Sequence, residues 1–306
     1  MNHSALPGMG QPRRLRPEHR RFVLLTLLPG LSLLILLSLI ASVGAINLAF
    51  QDRMLRFPDA AYVGFENFQR LFRDRRFANA LQVSAIWEVV TVACTMLLAV
   101  ALAILLVEGV RNPRVRNAIC ILLIIPVLLP RVSAGLIWRF LYSPTMGAAN
   151  YPLTMLGLPP IEFLSDPRIA LYAVALVDIW QWGLFFGVVL AKLIETLPKE
   201  PQEAARLDHA GTLGVYWWVA LPMLRGPIIM MTFVKAIESL RSFDLIYTMT
   251  AGGPGISTET LDLYAFQQGI GISGRISYAS SLSVLLMVMT VIIFSILWKR
   301  AARWAA

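Results

Sequence analysis

Charge is the first thing this chain lacks. Of its 306 residues only 15% are Asp, Glu, Lys or Arg, where soluble chains carry about 25%, so a water-soluble enzyme is excluded. Lysine is nearly absent and provides four of the 27 basic residues. Three histidines (His3, His19, His209) and two cysteines (Cys94, Cys120) are too few and too scattered for a metal cluster. Both cysteines lie in apolar segments, as small buried side chains do. No Gly-Lys dipeptide occurs, and a phosphate-cradling P-loop requires that pair before its Ser or Thr. Neither His-Glu-x-x-His nor Gly-x-Ser-x-Gly is present, so a membrane-embedded enzyme would lack both of these catalytic constellations.

Apolar sequence is what the chain has in quantity: 57% of residues, with a mean hydropathy of +0.66. A bilayer-spanning helix needs about 20 apolar residues. Residues 22–50 carry no charge and follow five arginines, Arg13, Arg14, Arg16, Arg20 and Arg21. That run is too long for a cleaved signal segment, whose apolar part is about 7–15 residues. It reads as an uncleaved first span after a basic tail, residues 1–21. Five more spans follow at about 81–107, 117–142, 169–195, 224–248 and 276–298, ahead of a basic C-terminus, 299–306. The sequence therefore predicts an all-α integral membrane protein with six transmembrane helices.

The net charge of +9 fits cytoplasmic loops facing anionic lipid better than nucleic acid, because the arginines cluster at the ends of apolar runs. Six spans put both termini on one side, and both are basic. Arg111, Arg114 and Arg116 load the second loop; Lys192, Lys199, Arg206 and Arg225 load the fourth. The positive-inside bias places both termini and these two loops in the cytoplasm. One loop disagrees. Residues 52–79 hold six arginines against four acids, yet the alternation puts them outside. Within that loop, apolar residues at 65, 68, 71, 72 and 77 predict a short amphipathic helix on the outer surface.

The fourth loop, 197–222, carries the most information. Pro198 and Pro201 stand where a helix begins, since its first turn does not need their N–H. Residues 202–210 are good helix formers, and Gly211 supplies a stop. Such a helix either rests on the lipid surface or docks a partner, its alanine pair letting another surface approach closely. Here the chain resembles a known family. Glu203-Ala204-Ala205, Asp208, Ala210 and Leu221-Pro222 are similar to the EAA loop of permease subunits of bacterial ATP-binding-cassette importers. The separation of 19 residues from glutamate to proline is the family's own. Val63-Gly-Phe-Glu-Asn-Phe68, Ile137-Trp138-Arg139, Glu162-Phe-Leu-Ser-Asp-Pro167, Phe243-Asp-Leu-Ile-Tyr247 and Thr250-Ala-Gly-Gly-Pro254 with Thr258-Glu-Thr260 resemble the sugar-permease branch, the maltose and glycerol-3-phosphate type. In one departure, His209 stands where the family has glycine, and a glycine follows only at Gly211.

The resemblance implies a type I importer permease in the bacterial inner membrane, with a cytoplasmic coupling helix whose residues are Glu203, Ala204, Ala205, Asp208, His209, Ala210 and Gly211, followed by Leu221 and Pro222. It implies a second permease subunit, two ATPase subunits that bind ATP and Mg, and an external substrate-binding protein. No cofactor is expected in this chain, and no enzymatic activity of its own.

Charges at bilayer depth cost at least about 2.5–3.5 kcal/mol, so they face a partner or a water-filled path. Span five carries Lys235, Glu238, Arg241 and Asp244 at intervals of three, which reads either as an ion-pair ladder or as a lining for substrate. Span four carries Asp178, Gln181 and Trp182. Hydroxyls need paired donors and acceptors while a sugar's C–H face packs on indole, so this group suits a carbohydrate or polyol site; helix–helix packing explains it equally. Glu88 and Arg131 are single charges that pair with each other or with Asp178. Monosaccharide, disaccharide, polyol, glycerol and glycerol phosphate all fit as substrate. The competing class is an ion-coupled secondary transporter, but no repeat between the two halves supports it.

Overall fold

The computed structural model describes residues 17–305 except 58, 60, 209 and 210. In chain order α1 (Pro17–Ala49) leads into a hairpin in which β1 (Gln51–Asp52) pairs antiparallel with β2 (Ala61–Tyr62). Next come α2 (Glu66–Arg73), α3 (Arg75–Gly109), α4 (Pro113–Leu128), α5 (Arg131–Leu141), the short α6 (Tyr151–Met155) and α7 (Ala170–Glu195). The fourth loop holds α8 (Glu200–Leu207), α9 (Thr212–Val215), a π-helical turn over Tyr216–Ala220, and α10 (Leu221–Met223). The chain ends with α11 (Arg225–Ser239), α12 (Phe243–Met249), α13 (Leu261–Phe266) and α14 (Ile276–Ala305). The helices α1, α3, α7 and α14 are long and apolar enough to cross a membrane. Two bent pairs raise the number to six: α4 with α5 at 96°, and the segment Thr212–Met223 with α11 at 78°.

The breaks have local causes. Pro130 has no N–H to offer the carbonyl of Pro126, so the third span cannot continue as one helix past that point. The fifth span is expected over 224–248 as one helix, but it divides at Leu240–Ser242. The Ser239 carbonyl, which a continuing helix would use internally, instead accepts from the Trp87 indole at 3.1 Å. Likewise the amphipathic segment 65–77 forms two helices, because the Asp74 side chain caps α3 by accepting from the Arg76 N–H at 2.8 Å. It lies against protein as well as solvent: Leu71 is fully buried in a cluster with Phe77, Tyr264, Tyr278 and Leu282. Asn67 donates to the carbonyls of Ala49 (3.0 Å) and Gln51 (2.7 Å), closing the end of α1.

The core is the packing of α3 on α7. A Cβ added at Gly183 or Gly187 would lie 2.6 Å from the Cδ2 of Leu98 or Leu102 respectively. These two glycines, one turn apart, let the α7 backbone settle on leucines of α3, with Ala99, Ala103 and Ala191 buried alongside. Small residues at close helix crossings are the usual device in membranes, where lipid offers no hydrophobic drive between helices. By contrast, only Ala49 of Leu25–Ala49 in α1 is buried, and no described residue of α14 beyond Leu282 is.

Candidate functional site

Two groups of residues stand out, one in the fourth loop and one inside the bundle. Helix α8 begins with Pro201 in its first turn; Glu200 and Glu203 lie near its N-terminus and Arg206 in its last turn, the arrangement that complements the helix dipole. No residue of α8 is buried. Glu203 and Ala204 are exposed and Ala205 is half-buried. Asp208 closes the helix, its N–H donating to the Ala204 carbonyl at 3.1 Å, and Gly211 opens α9 in an extended conformation. His209 and Ala210 lie outside the described residues, as do residues 1–16 of the basic tail. Leu221 and Pro222 form α10, at the turn into α11.

The loop is footed on the bundle. Arg206 Nη2 donates to Glu108 Oε1 at 2.6 Å, and the Tyr216 hydroxyl donates to the same oxygen at 2.8 Å. Glu108 belongs to the last turn of α3, and Tyr216 is 1% exposed. Beside it, Arg116 Nε pairs with Glu195 at 2.7 Å, and Lys192 bridges Glu195 (3.1 Å) and Asn117 (2.7 Å), tying α4 to α7. With the inner side anchored, the free side presents Glu203, Ala204 and a set of uncovered apolar side chains, Leu207, Leu213, Trp217 and Trp218. Nothing in the sequence marks Glu108 as the anchor, because its partners are 98 and 108 residues away.

The second group centres on Asp178, which is fully buried. One carboxylate oxygen accepts from Lys235 Nζ and the other from Arg131 Nη2. Lys235 is also fully buried, whereas the Arg131 side chain is 17% exposed. Arg131 further donates from Nη1 to the Arg241 carbonyl at 3.1 Å. Each cation sits close to a helix break, Arg131 after Pro130 and Lys235 before Leu240, so the intact α7 pins both broken spans at one level. Trp182 stands beside this node, with Lys235 Nζ 5.9 Å from the centre of its ring.

The stripe along span five is not a ladder. Among the described residues no ion pair joins Lys235, Glu238, Arg241 and Asp244; Lys235 turns to α7 instead. The break at Leu240–Ser242 also rotates Arg241 and Asp244 out of register, and both are exposed, with Glu238 half-buried. Arg131 pairs with Asp178 as anticipated, but Glu88 pairs with neither, and its buried Oε2 has no hydrogen-bond partner among the described residues. Gln181, 2% exposed, has a backbone role. Its Nε2 donates to the carbonyls of Pro126 (2.9 Å), which also accepts the Leu129 N–H, and Leu129 (3.3 Å), at the point where Pro130 breaks the span. Gln181→Leu is therefore expected to cost about 1 kcal/mol, the net worth of a hydrogen bond, since the Pro126 carbonyl keeps the Leu129 N–H at 3.3 Å. It should appear as a lower melting temperature in detergent, and an unchanged melting temperature would remove this role.

On the face opposite α8, Arg76 grips the 250–260 loop. Its Nε and Nη2 donate to Glu259 at 2.7 and 2.6 Å, and Glu259 is 1% exposed. In the Thr258-Glu259-Thr260 word, the glutamate is the buried half of this bidentate pair.

The profile described as binding-protein-dependent transport system inner membrane component matches residues 95–304. The trehalose/maltose transport system permease protein of Thermococcus litoralis is 27% identical, over 95% of this chain and 97% of that protein. The diacetylchitobiose uptake system permease protein of Streptomyces coelicolor is 30% identical, over 92% of this chain and 83% of its own length. The fold is also that of a subunit in the crystal structure of a bacterial alginate ABC transporter in complex with an alginate pentasaccharide-bound periplasmic protein. That likeness has a TM-score of 0.80 at 19% identity and covers 93% of this chain and 96% of that one.

Proposed function

The chain belongs to the family of binding-protein-dependent transport system inner membrane components, and from that premise we propose that it is the permease subunit of an ATP-driven importer for a carbohydrate or polyol. Two of its relatives are permeases for trehalose/maltose and diacetylchitobiose, which supports a carbohydrate. The observation that carries the mechanism is α8, a helix with no buried residue, braced from behind by Glu108 and presenting Glu203, Ala204 and Leu207 outward. Helix α8 is the coupling helix, held by a cleft of a separate ATPase subunit that binds ATP and Mg. Two ATPase copies and a second permease subunit complete the complex, and a substrate-binding protein delivers the ligand on the other side. Both termini and the 197–222 loop then face the cytoplasm.

The brace determines what the loop can transmit. Arg206 and Tyr216 share one oxygen of Glu108, so a shift of α8 pulls on the end of α3. Because α3 is packed on α7 through Gly183 and Gly187, the displacement reaches Asp178 and, through it, both broken spans. The substrate path runs along α11 and α12, where Glu238, Arg241 and Asp244 offer charged groups with no ion-pair partner among the described residues, with Asp178, Gln181 and Trp182 forming the wall behind them.

A thermal-shift screen of the cognate binding protein tests the substrate class. At a hundredfold excess over Kd a ligand stabilises by about 2.7 kcal/mol, several degrees for a protein of ordinary size. A monosaccharide, disaccharide or polyol is expected among the hits. A binding protein stabilised only by amino acids, peptides or metal ions would overturn the carbohydrate reading.

A further inference from the structure

The six arginines of the first long loop, which run against the positive-inside pattern, do not all serve one purpose. Arg76 is bonded to Glu259, and Arg70 pairs with Glu66 at 2.7 Å. Arg53 and Arg73 have no carboxylate partner among the described residues. Together with Arg70 and, from the other end of the chain, Arg275, they line a cavity of about 530 Å3. Two aspartates share its wall, and only Asp52 comes near one of these four arginines. Asp52 comes only within 4.0 Å of Arg70. Asp74 accepts from the Tyr264 hydroxyl, from Tyr278 at 2.8 Å and from the Arg76 N–H at 2.8 Å. Burial pushes the Asp74 carboxyl up, but the two tyrosine hydroxyls and the N–H groups of Arg76 and Phe77 outweigh it and hold it below the ordinary carboxylate value.

The arginines are fixed in place by backbone. The Arg53 N–H donates to Ser277 Oγ at 3.0 Å, and the Leu55 N–H donates to the Gly274 carbonyl at 2.7 Å. This stitches the segment after α1 to the turn before α14. The cavity thus lies where α1 and α14, the two helices whose apolar surfaces the rest of the chain leaves uncovered, emerge from the apolar layer. A second cleft of about 400 Å3 adjoins it, lined by Leu55, Phe57, Ile270 and Ile272 as well as Arg56. Guanidinium groups beside exposed aliphatic side chains, at the level where helices leave the bilayer, suit one chemistry: a phosphodiester with acyl chains below it. Arginine binds phosphate through its planar fork, and a headgroup fits a concave pocket of this size. A protein partner would need a broader surface, on the order of 800 Å2 on each side.

We propose that the pocket of Arg53, Arg70, Arg73 and Arg275 binds the headgroup of an anionic phospholipid in the leaflet opposite the chain termini. The lipid neutralises Arg53, Arg73 and Arg275, which have no carboxylate partner among the described residues, with Arg70 at the rim still paired to Glu66, and fastens the α1–α14 edge to the membrane.

Native mass spectrometry of the assembled complex tests this, with the complex carried in nanodiscs of phosphatidylcholine and phosphatidylglycerol. The wild-type complex is expected to retain phosphatidylglycerol over phosphatidylcholine by at least about tenfold. An Arg53→Gln/Arg73→Gln/Arg275→Gln complex should lose that preference, since three charges near a membrane surface together account for roughly a hundredfold. Equal retention by the two complexes overturns the proposal. So does release of the lipid by millimolar inorganic phosphate, which would mark a general anion site. Unchanged lipid retention together with lost stimulation of ATP hydrolysis by the binding protein would make the pocket a protein-docking surface and overturn it as well. Should the triple variant fail to assemble, the wild-type preference decides alone: indifference between the two lipids contradicts the assignment.

Discussion

Asp178→Asn is expected to lower the folded fraction of the chain in the membrane and its melting temperature more than Gln181→Leu or Glu203→Lys does. The substitution keeps the shape of the side chain but removes the carboxylate that, among the described residues, forms the ion pairs of Lys235, whose side chain is fully buried, and Arg131, whose side chain is 17% exposed. Breaking a buried ion pair from one side costs about 3–5 kcal/mol, because the remaining charge stays in a low-dielectric site. Typical domains have about 5–15 kcal/mol in total. The loss falls where both broken spans meet α7, so it releases α5 and α11 together. Extraction in mild detergent followed by size-exclusion chromatography reads the outcome directly. Adding Lys235→Met should recover part of the folded fraction, since the deepest unpaired charge is then gone. Normal abundance and melting temperature of Asp178→Asn, combined with a changed substrate preference, would mean that Asp178 contacts substrate and does not hold the spans.

The second large effect concerns the loop and has the opposite character. Glu203→Lys, or a bulky residue at Ala204, is expected to leave abundance and melting temperature unchanged. Neither position is buried, and surface substitutions usually stay within about 0.5 kcal/mol. Uptake, however, should vanish. A central interface residue is worth about 2 kcal/mol or more, which is roughly a thirtyfold loss of affinity for the ATPase, and co-purification of that subunit should fall accordingly. Undiminished co-purification with normal uptake would remove α8 from the interface.

These two sites differ in how far the sequence disclosed them. The loop was legible because its signal is local: Glu203-Ala204-Ala205 and Leu221-Pro222 are one short stretch, and the prolines and glycine around them set helix ends by backbone chemistry alone. Its brace was not, because Glu108 lies on another span. Apolar runs such as residues 22–50 disclosed the spans, since hydropathy depends on composition and not on partners. The third span is expected unbroken over 117–142, although Pro130 lies at its bend, and Gln181, which donates to the carbonyls there, is 55 and 52 residues from them. Charges at intervals of three suggested a ladder within span five because spacing reports only neighbours on the same helix. An intramembrane cation takes whichever carboxylate packs nearest, and for Lys235 that carboxylate is Asp178, 57 residues earlier. The division of span five follows the same rule, since the indole that takes the Ser239 carbonyl comes from Trp87.

Reconstituted transport tests the central claim most directly. Proteoliposomes holding this chain, its second permease subunit and the ATPase are supplied with labelled carbohydrate and binding protein on the face opposite α8. ATP is supplied on the α8 face, and sodium and proton gradients are collapsed. The expected result is accumulation that requires both ATP and the binding protein, and that Glu203→Lys abolishes. Accumulation by this chain without the ATPase, driven by an ion gradient, would contradict it.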